Sequence, residues 1–148
     1  MMRTVDSAQE SSGPQPVVEL TEEECWDFLR SQDVGRLAVS VAGVPDIFPV
    51  NFLVDQHTVL FRTAHGTKLL ELGVNQYVAF EADRWNVAEG TSVVIRGHAS
   101  VLGDAAELNR VASLDLRTWI PGPRSVFVRI QPATITGRRL RLTPPTER

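Results

Sequence analysis

The segment Phe61-Arg62-Thr63-Ala64-His65-Gly66-Thr67-Lys68 gathers two cations, two hydroxyls and a glycine in eight residues. The apolar alternation before it reads as a strand, and the residues after it as a short helix from Thr67 to Gly73 closed by a glycine. A helix N-terminus offers free backbone N–H groups and a partial positive charge, and both favour an anion. Gly66 permits close backbone approach. Arg62, Thr63, Ala64, Thr67 and Lys68 therefore form a candidate phosphate cradle. The spacing is not that of a Walker loop, so nucleoside triphosphate hydrolysis is disfavoured. The plainer alternative is that Thr67 only caps the helix while Arg62 and Lys68 sit in water.

A second candidate is Pro49-Val50-Asn51-Phe52. Asn51 interrupts an apolar strand, so it either faces solvent, the more ordinary choice, or hydrogen-bonds something bound against the sheet. The three histidines, His57, His65 and His98, lack metal-ligand spacing. His65 is either a donor beside the cradle or a plain loop histidine. No G-x-S-x-G elbow supports a serine nucleophile, and no catalytic or metal-binding residue is assigned. Cys25 reads as a small core residue. Arg138, Arg139 and Arg141 suit a solvated or subunit-facing strand better than a nucleic-acid patch.

The elements that must carry these residues follow from periodicity and turn chemistry. Residues 1–16 lack an apolar pattern and are expected to form a flexible tail. Thr21 and Glu24 make a capping box, with Leu20 and Cys25 at the staple positions, and Cys25, Phe28 and Leu29 give the helix an apolar face. From Val34 the period changes to two. Strands are expected from Val34 to about Val41, Ile47 to Val54, and Thr58 to Thr63, joined by turns at Ala42-Gly43-Val44-Pro45 and Asp55-Gln56-His57, as a meander. Phe48, Val50, Phe52 and Val54 line one face of the second strand, and Ile47, Pro49, Asn51 and Leu53 the other. A fourth strand spans Tyr77 to Ala82. A long one runs from about Ser92 to Leu102. Asp104 and Glu107 open a second helix through Leu114. Pro121-Gly122-Pro123 breaks the chain. Two late strands, Ser125 to Ile130 and about Ala133 to Leu142, complete the set. Residues 144–148 are a second expected tail. This is a mainly β chain of six to seven antiparallel strands with a few short α-helices, best closed as a barrel that leaves no open edges.

Composition bounds the function. The chain has 148 residues, one cysteine and a net charge of −3. One domain fits that length, and the charge argues against a nucleic-acid partner. No run approaches a membrane span and no secretory signal is present, so a cytoplasmic protein is expected.

Taken in order, G-R-L-A-V-S (35–40), P-D-I-F-P-V-N-F (45–52), F-R-T-A-H-G-T-K-L (61–69), V-A-F-E-A-D (78–83), S-V-V-I-R-G-H-A (92–99) and the late V-R-I-Q-P-A-T-I-T-G-R-R stretch resemble the pyridoxamine 5′-phosphate oxidase-like split-barrel family. The likeness covers roughly residues 18 to 141 and places the barrel domain at 17–143. It implies a split β-barrel homodimer with FMN at the subunit interface and oxidoreductase activity on a small-molecule substrate. Relatives on the same barrel bind deazaflavin or haem. By resemblance, Val50, Asn51, Phe52, Arg62 and Thr63 lie at the flavin ring, Thr67 and Lys68 at the phosphate, and Ser92 approaches the ring; Pro49 and Ala64 are expected among the cofactor-binding residues. The extra C-terminal substrate-binding residues of true pyridoxamine phosphate oxidases are not matched. The resemblance therefore points to the flavin-reductase-like branch rather than to vitamin B6 chemistry.

Overall fold

A computed structural model describes residues 16–63, 76–114 and 126–143. The expected helix at 67–73, the break at 121–123 and both expected tails, save Pro16, lie outside the described residues, as do Ala64, Thr67 and Lys68 of the cradle. The elements are β1 (Val17–Glu19), α1 (Glu22–Arg30), β2 (Val34–Val41), β3 (Val44–Val54), β4 (Val59–Thr63), β5 (Gln76–Trp85), β6 (Glu89–Val101), α2 (Ala105–Ala112) and β7 (Val126–Arg141). No helix among them is long and apolar enough to cross a membrane.

Every strand pairing is antiparallel. The sheet runs β1-β7-β4-β3-β2-β5-β6, and β6 also pairs with β7. That last pairing closes β2 to β7 into a barrel and leaves β1 as a short strand added to β7. The barrel is split because β4 pairs with β7 only from Val126 to Ile130, while β1 pairs with β7 only from Arg138 to Leu140. Across the gap, β7 has β6 on one side and helix α1 packed nearby.

Local chemistry accounts for most of these elements. The Thr21 hydroxyl accepts from Glu24 N–H at 3.1 Å, and the Glu24 carboxylate accepts from Thr21 N–H at 2.8 Å, so the capping box forms as expected. The β2–β3 hairpin turns on Ala42 and Gly43 alone, both at positive φ. That is the two-residue geometry whose twist suits flanking strands, and Val44 and Pro45 therefore belong to β3. The β3–β4 turn is equally short. Asp55 and Thr58 exchange backbone hydrogen bonds at 2.9 and 3.0 Å around Gln56 and His57.

Two expectations need correction. The late sequence forms one strand, β7, not two. Pro132 does not end it, because a bulge between Arg96 and Gly97 pairs Gly97 with Pro132 and Arg96 with Thr134. Ala133 is the extra residue, and bulges admit such sequences. A Cβ on Gly97 would collide with the Gln131 carbonyl, so a glycine is required where the backbones close in. The strand β1 was not anticipated, since three residues show no period.

Period two sorts the strands. Leu37, Phe52, Phe61, Phe80 and Ile95 point inward and are almost wholly buried. Each contributes about 1.5–3 kcal/mol. Cys25, Trp26, Phe28 and Leu29 of α1 cover this core. Gly137 makes room for the helix: a Cβ there would lie 2.7 Å from Cys25 Sγ. Phe48, Val50, Phe52 and Val54 are used up inside the barrel or packed against its core.

Candidate functional site

The outer face of β3, β2, β5 and β6 brings together most of the polar groups that the sequence spreads out. Arg36 sits opposite Pro49 on one side and Glu81 on the other. Asn51 sits opposite Val34, and Ser92 opposite Asp83. Arg36 Nη1 donates to Glu81 Oε1 at 3.0 Å and to Asp83 Oδ1 at 3.3 Å. The Ser92 hydroxyl donates to Glu81 Oε2 at 3.3 Å. The result is a partly buried cluster of two carboxyls, one guanidinium and one hydroxyl.

The two carboxyls titrate in opposite directions. Burial, followed by the neighbouring Asp83 carboxyl, holds Glu81 above the usual carboxylate range and outweighs Arg36. Burial would also raise Asp83, but hydrogen bonds from Glu81 and Trp85, together with Arg36, bring it below its ordinary value. Adjacent carboxyls cannot both ionise freely, so Glu81 is the first of the two to take a proton as pH falls.

Asn51 carries the other chemical feature of this face. Its Nδ2 lies 3.5 Å from the Asp33 carbonyl, a long contact. Its Oδ1 is buried and has no partner among the described residues. A buried acceptor left unpaired costs about 1–3 kcal/mol. A ligand N–H at this position removes that cost.

The remaining expected site residues divide by where their side chains point. Pro49 is outward. Val50 and Phe52 are 7% and 4% exposed and belong to the core, so only their backbone is available to a ligand on the outer face. Arg62 is opposite Phe127, its guanidinium 5.3 Å from that ring. Thr63 ends β4 opposite Val126. Sequence reasoning missed Arg36, Glu81 and Asp83. The alternation in Val78-Ala79-Phe80-Glu81-Ala82-Asp83 puts both acids on one face, which was the available signal. Their shared partner is 45 and 47 residues away.

A second polar cluster anchors α2. Asp55 accepts from Arg110 Nη1 and Nη2 at 3.1 and 2.6 Å and from Arg129 at 3.0 Å. Glu107 accepts from both arginines. The Arg110 hydrogen bonds lower the Asp55 pKa against the opposing effect of burial, with Arg129 assisting.

Residues 21–139 match the model of the pyridoxamine 5′-phosphate oxidase family. The FAD binding protein from Mycobacterium smegmatis has a similar structure, with 44% identity and a TM-score of 0.74 over 84% of this chain and 98% of that one. A conserved protein of unknown function from Corynebacterium diphtheriae is 38% identical, with a TM-score of 0.74 over 85% and 99% of the two chains. An uncharacterized protein of Mycobacterium tuberculosis is 35% identical over 133 residues, 84% of this chain and 86% of its own. The six-stranded barrel, its split and these likenesses agree, and the chain belongs to the pyridoxamine 5′-phosphate oxidase family.

Proposed function

We propose that this chain is a flavin-dependent oxidoreductase that acts on a small-molecule substrate in the cytoplasm, with the flavin held at the interface of a homodimer. The observation that carries the reading is the buried, unpaired Asn51 Oδ1 on the outer barrel face. The flavin ring has an N–H donor that fits it. The named relative at 44% identity is an FAD binding protein. FMN was the form expected from sequence, and FAD now leads because of that relative. The two share ring, ribityl chain and first phosphate, so the same residues serve either, and a deazaflavin keeps the same donor.

The flavin, when bound, supplies the electron transfer. The chain's residues do the rest. Asn51 orients the ring through its carbonyl oxygen. Ser92 holds its hydroxyl on Glu81, and Arg36 fixes the carboxyl pair on the same face. Lys68 holds the phosphate, with Arg62, Thr63 and Thr67 nearby. Val50 and Phe52 support the wall from inside.

The test is cofactor uptake followed by turnover. Protein loaded with FAD is mixed anaerobically with a reduced nicotinamide and then with an acceptor. Bleaching and recovery of the flavin spectrum are expected. Tight flavin binding without bleaching by any common reductant would make the protein a binding module instead.

A further inference from the structure

The split in the barrel contains a groove that the flavin reading does not use. It has a volume of about 550 Å³ and lies between Glu22 and Trp26 of α1, His57 of the β3–β4 turn, and β7 from Gln131 to Thr136. That volume is in the range of small-molecule sites. Here β7 has left β4, its last partner being Val59 opposite Ile130, and has not yet met β1, whose Glu19 lies opposite Arg138.

Three independent features mark it. Trp26 is 1% exposed, and its indole Nε1–H is buried with no acceptor among the described residues. Buried indole N–H groups normally find a partner. The His57 ring stacks on the indole at 5.0 Å between centroids and 6° between planes. Gln56 and His57 both hold left-handed backbone, at φ 52° and 59°, in a turn that usually takes asparagine or glycine. Strain of that kind persists where the surroundings, or a function, require it.

We propose that this groove binds a small, neutral, planar amide or lactam whose carbonyl oxygen accepts the Trp26 Nε1–H, with the His57 ring moving aside to admit it. The carbonyl supplies the missing acceptor. The planar body lies along the indole edge, in the groove beside β7. Thr134, Thr136 and Gln131 offer polar partners to the amide N–H. Glu22 lies one helical turn before Trp26 on the same face, so its carboxylate disfavours an anionic ligand. This assignment is independent of the flavin reading.

The test uses the full chain labelled with ¹⁵N and benzamide as probe, with benzoate and toluene as controls. Three tryptophans give three indole signals, and Trp26→Phe assigns the relevant one. Benzamide should move the Trp26 N–H signal downfield to saturation. Benzoate and toluene should bind at least about fivefold more weakly, since one lacks neutrality and the other the acceptor. His57→Gly relieves the turn and opens the groove, so it should tighten benzamide several-fold. This second variant carries the test if Trp26→Phe does not fold. No saturable shift of the Trp26 signal in wild type and in His57→Gly would overturn the proposal. So would equal binding of all three probes, or displacement of benzamide from Trp26 by FAD, which would make the groove part of the flavin site.

Discussion

Asp55 shows how one side chain can fix an element. It is 8% exposed and holds two arginines, so Asp55→Asn leaves both short of a counter-charge. Breaking a buried ion pair costs about 3–5 kcal/mol. Glu107 still accepts from both arginines, so a loss of about 2 kcal/mol is expected in urea unfolding at pH 7. The sign of the pH dependence follows from the lowered pKa. The contribution is present above the unfolded value, about 3.9, and is lost as pH falls through the lower folded value. The gap between wild type and Asp55→Asn should hold from pH 7 to about 5 and close below about 4. A gap that does not change with acid would mean that shape, not charge, sets the cost. Lys68 offers a second test at this scale. A charge-assisted hydrogen bond is worth about 1.5–3 kcal/mol, so Lys68→Ala should weaken FMN or FAD binding roughly 10- to 150-fold. Riboflavin, which lacks the phosphate, should bind as before. Equal losses for phosphorylated and unphosphorylated flavins would remove Lys68 from the phosphate site.

At the scale of elements, the glycines decide how closely the parts approach. Gly137→Ala brings a methyl within 2.7 Å of Cys25 Sγ, 3.0 Å of Leu20 Cδ1 and 3.1 Å of Val93 Cγ2. Overpacking of this kind costs about 1–3 kcal/mol. Cys25→Ala removes the nearest atom, so the double variant should lose at least about 0.5 kcal/mol less than the sum of the two single losses. Strict additivity would show that α1 does not bear on Gly137 as described. The elements were also the most legible part of the sequence. The Thr21–Glu24 cap, the alternation in β2 to β6 and the Asp104 cap are signals within a few residues, and all reappear in the structure. The single strand β7 was not legible because the bulge that carries Pro132 depends on Gly97 in the facing strand. Trp26 fell outside the apolar face read from Cys25, Phe28 and Leu29, yet it is buried, because α1 is covered on a wider arc by the split. Asp55 read as a turn residue, and nothing local reveals that Arg110 and Arg129 converge on it. The Arg36, Glu81, Asp83 and Ser92 cluster is a product of strand register, which single-strand patterns do not contain.

At the scale of the whole molecule, the expected homodimer now rests on a different surface. Phe48, Val50, Phe52 and Val54 serve the barrel core. The opposite face exposes Ile47 at 66% and Tyr77 at 52%, with the small Ala38 opposite both Ile47 and Ala79. An apolar face of that kind suits close approach of a second copy. Sedimentation at micromolar concentration should give a mass near twice 16.4 kDa, and Ile47→Asp should shift the population to monomer. A monomeric wild type that still binds flavin would remove the interface from the account.

The central claim is that the outer barrel face, with Asn51 Oδ1 unpaired, is built for a flavin. The visible absorption spectrum of the purified chain, with mass identification of what it releases on denaturation, tests this most directly. A yellow protein is expected that releases FAD or, in its place, FMN, and that loses most of this retention on Asn51→Leu. A colourless protein that takes up neither flavin, nor a deazaflavin, when these are supplied would contradict it.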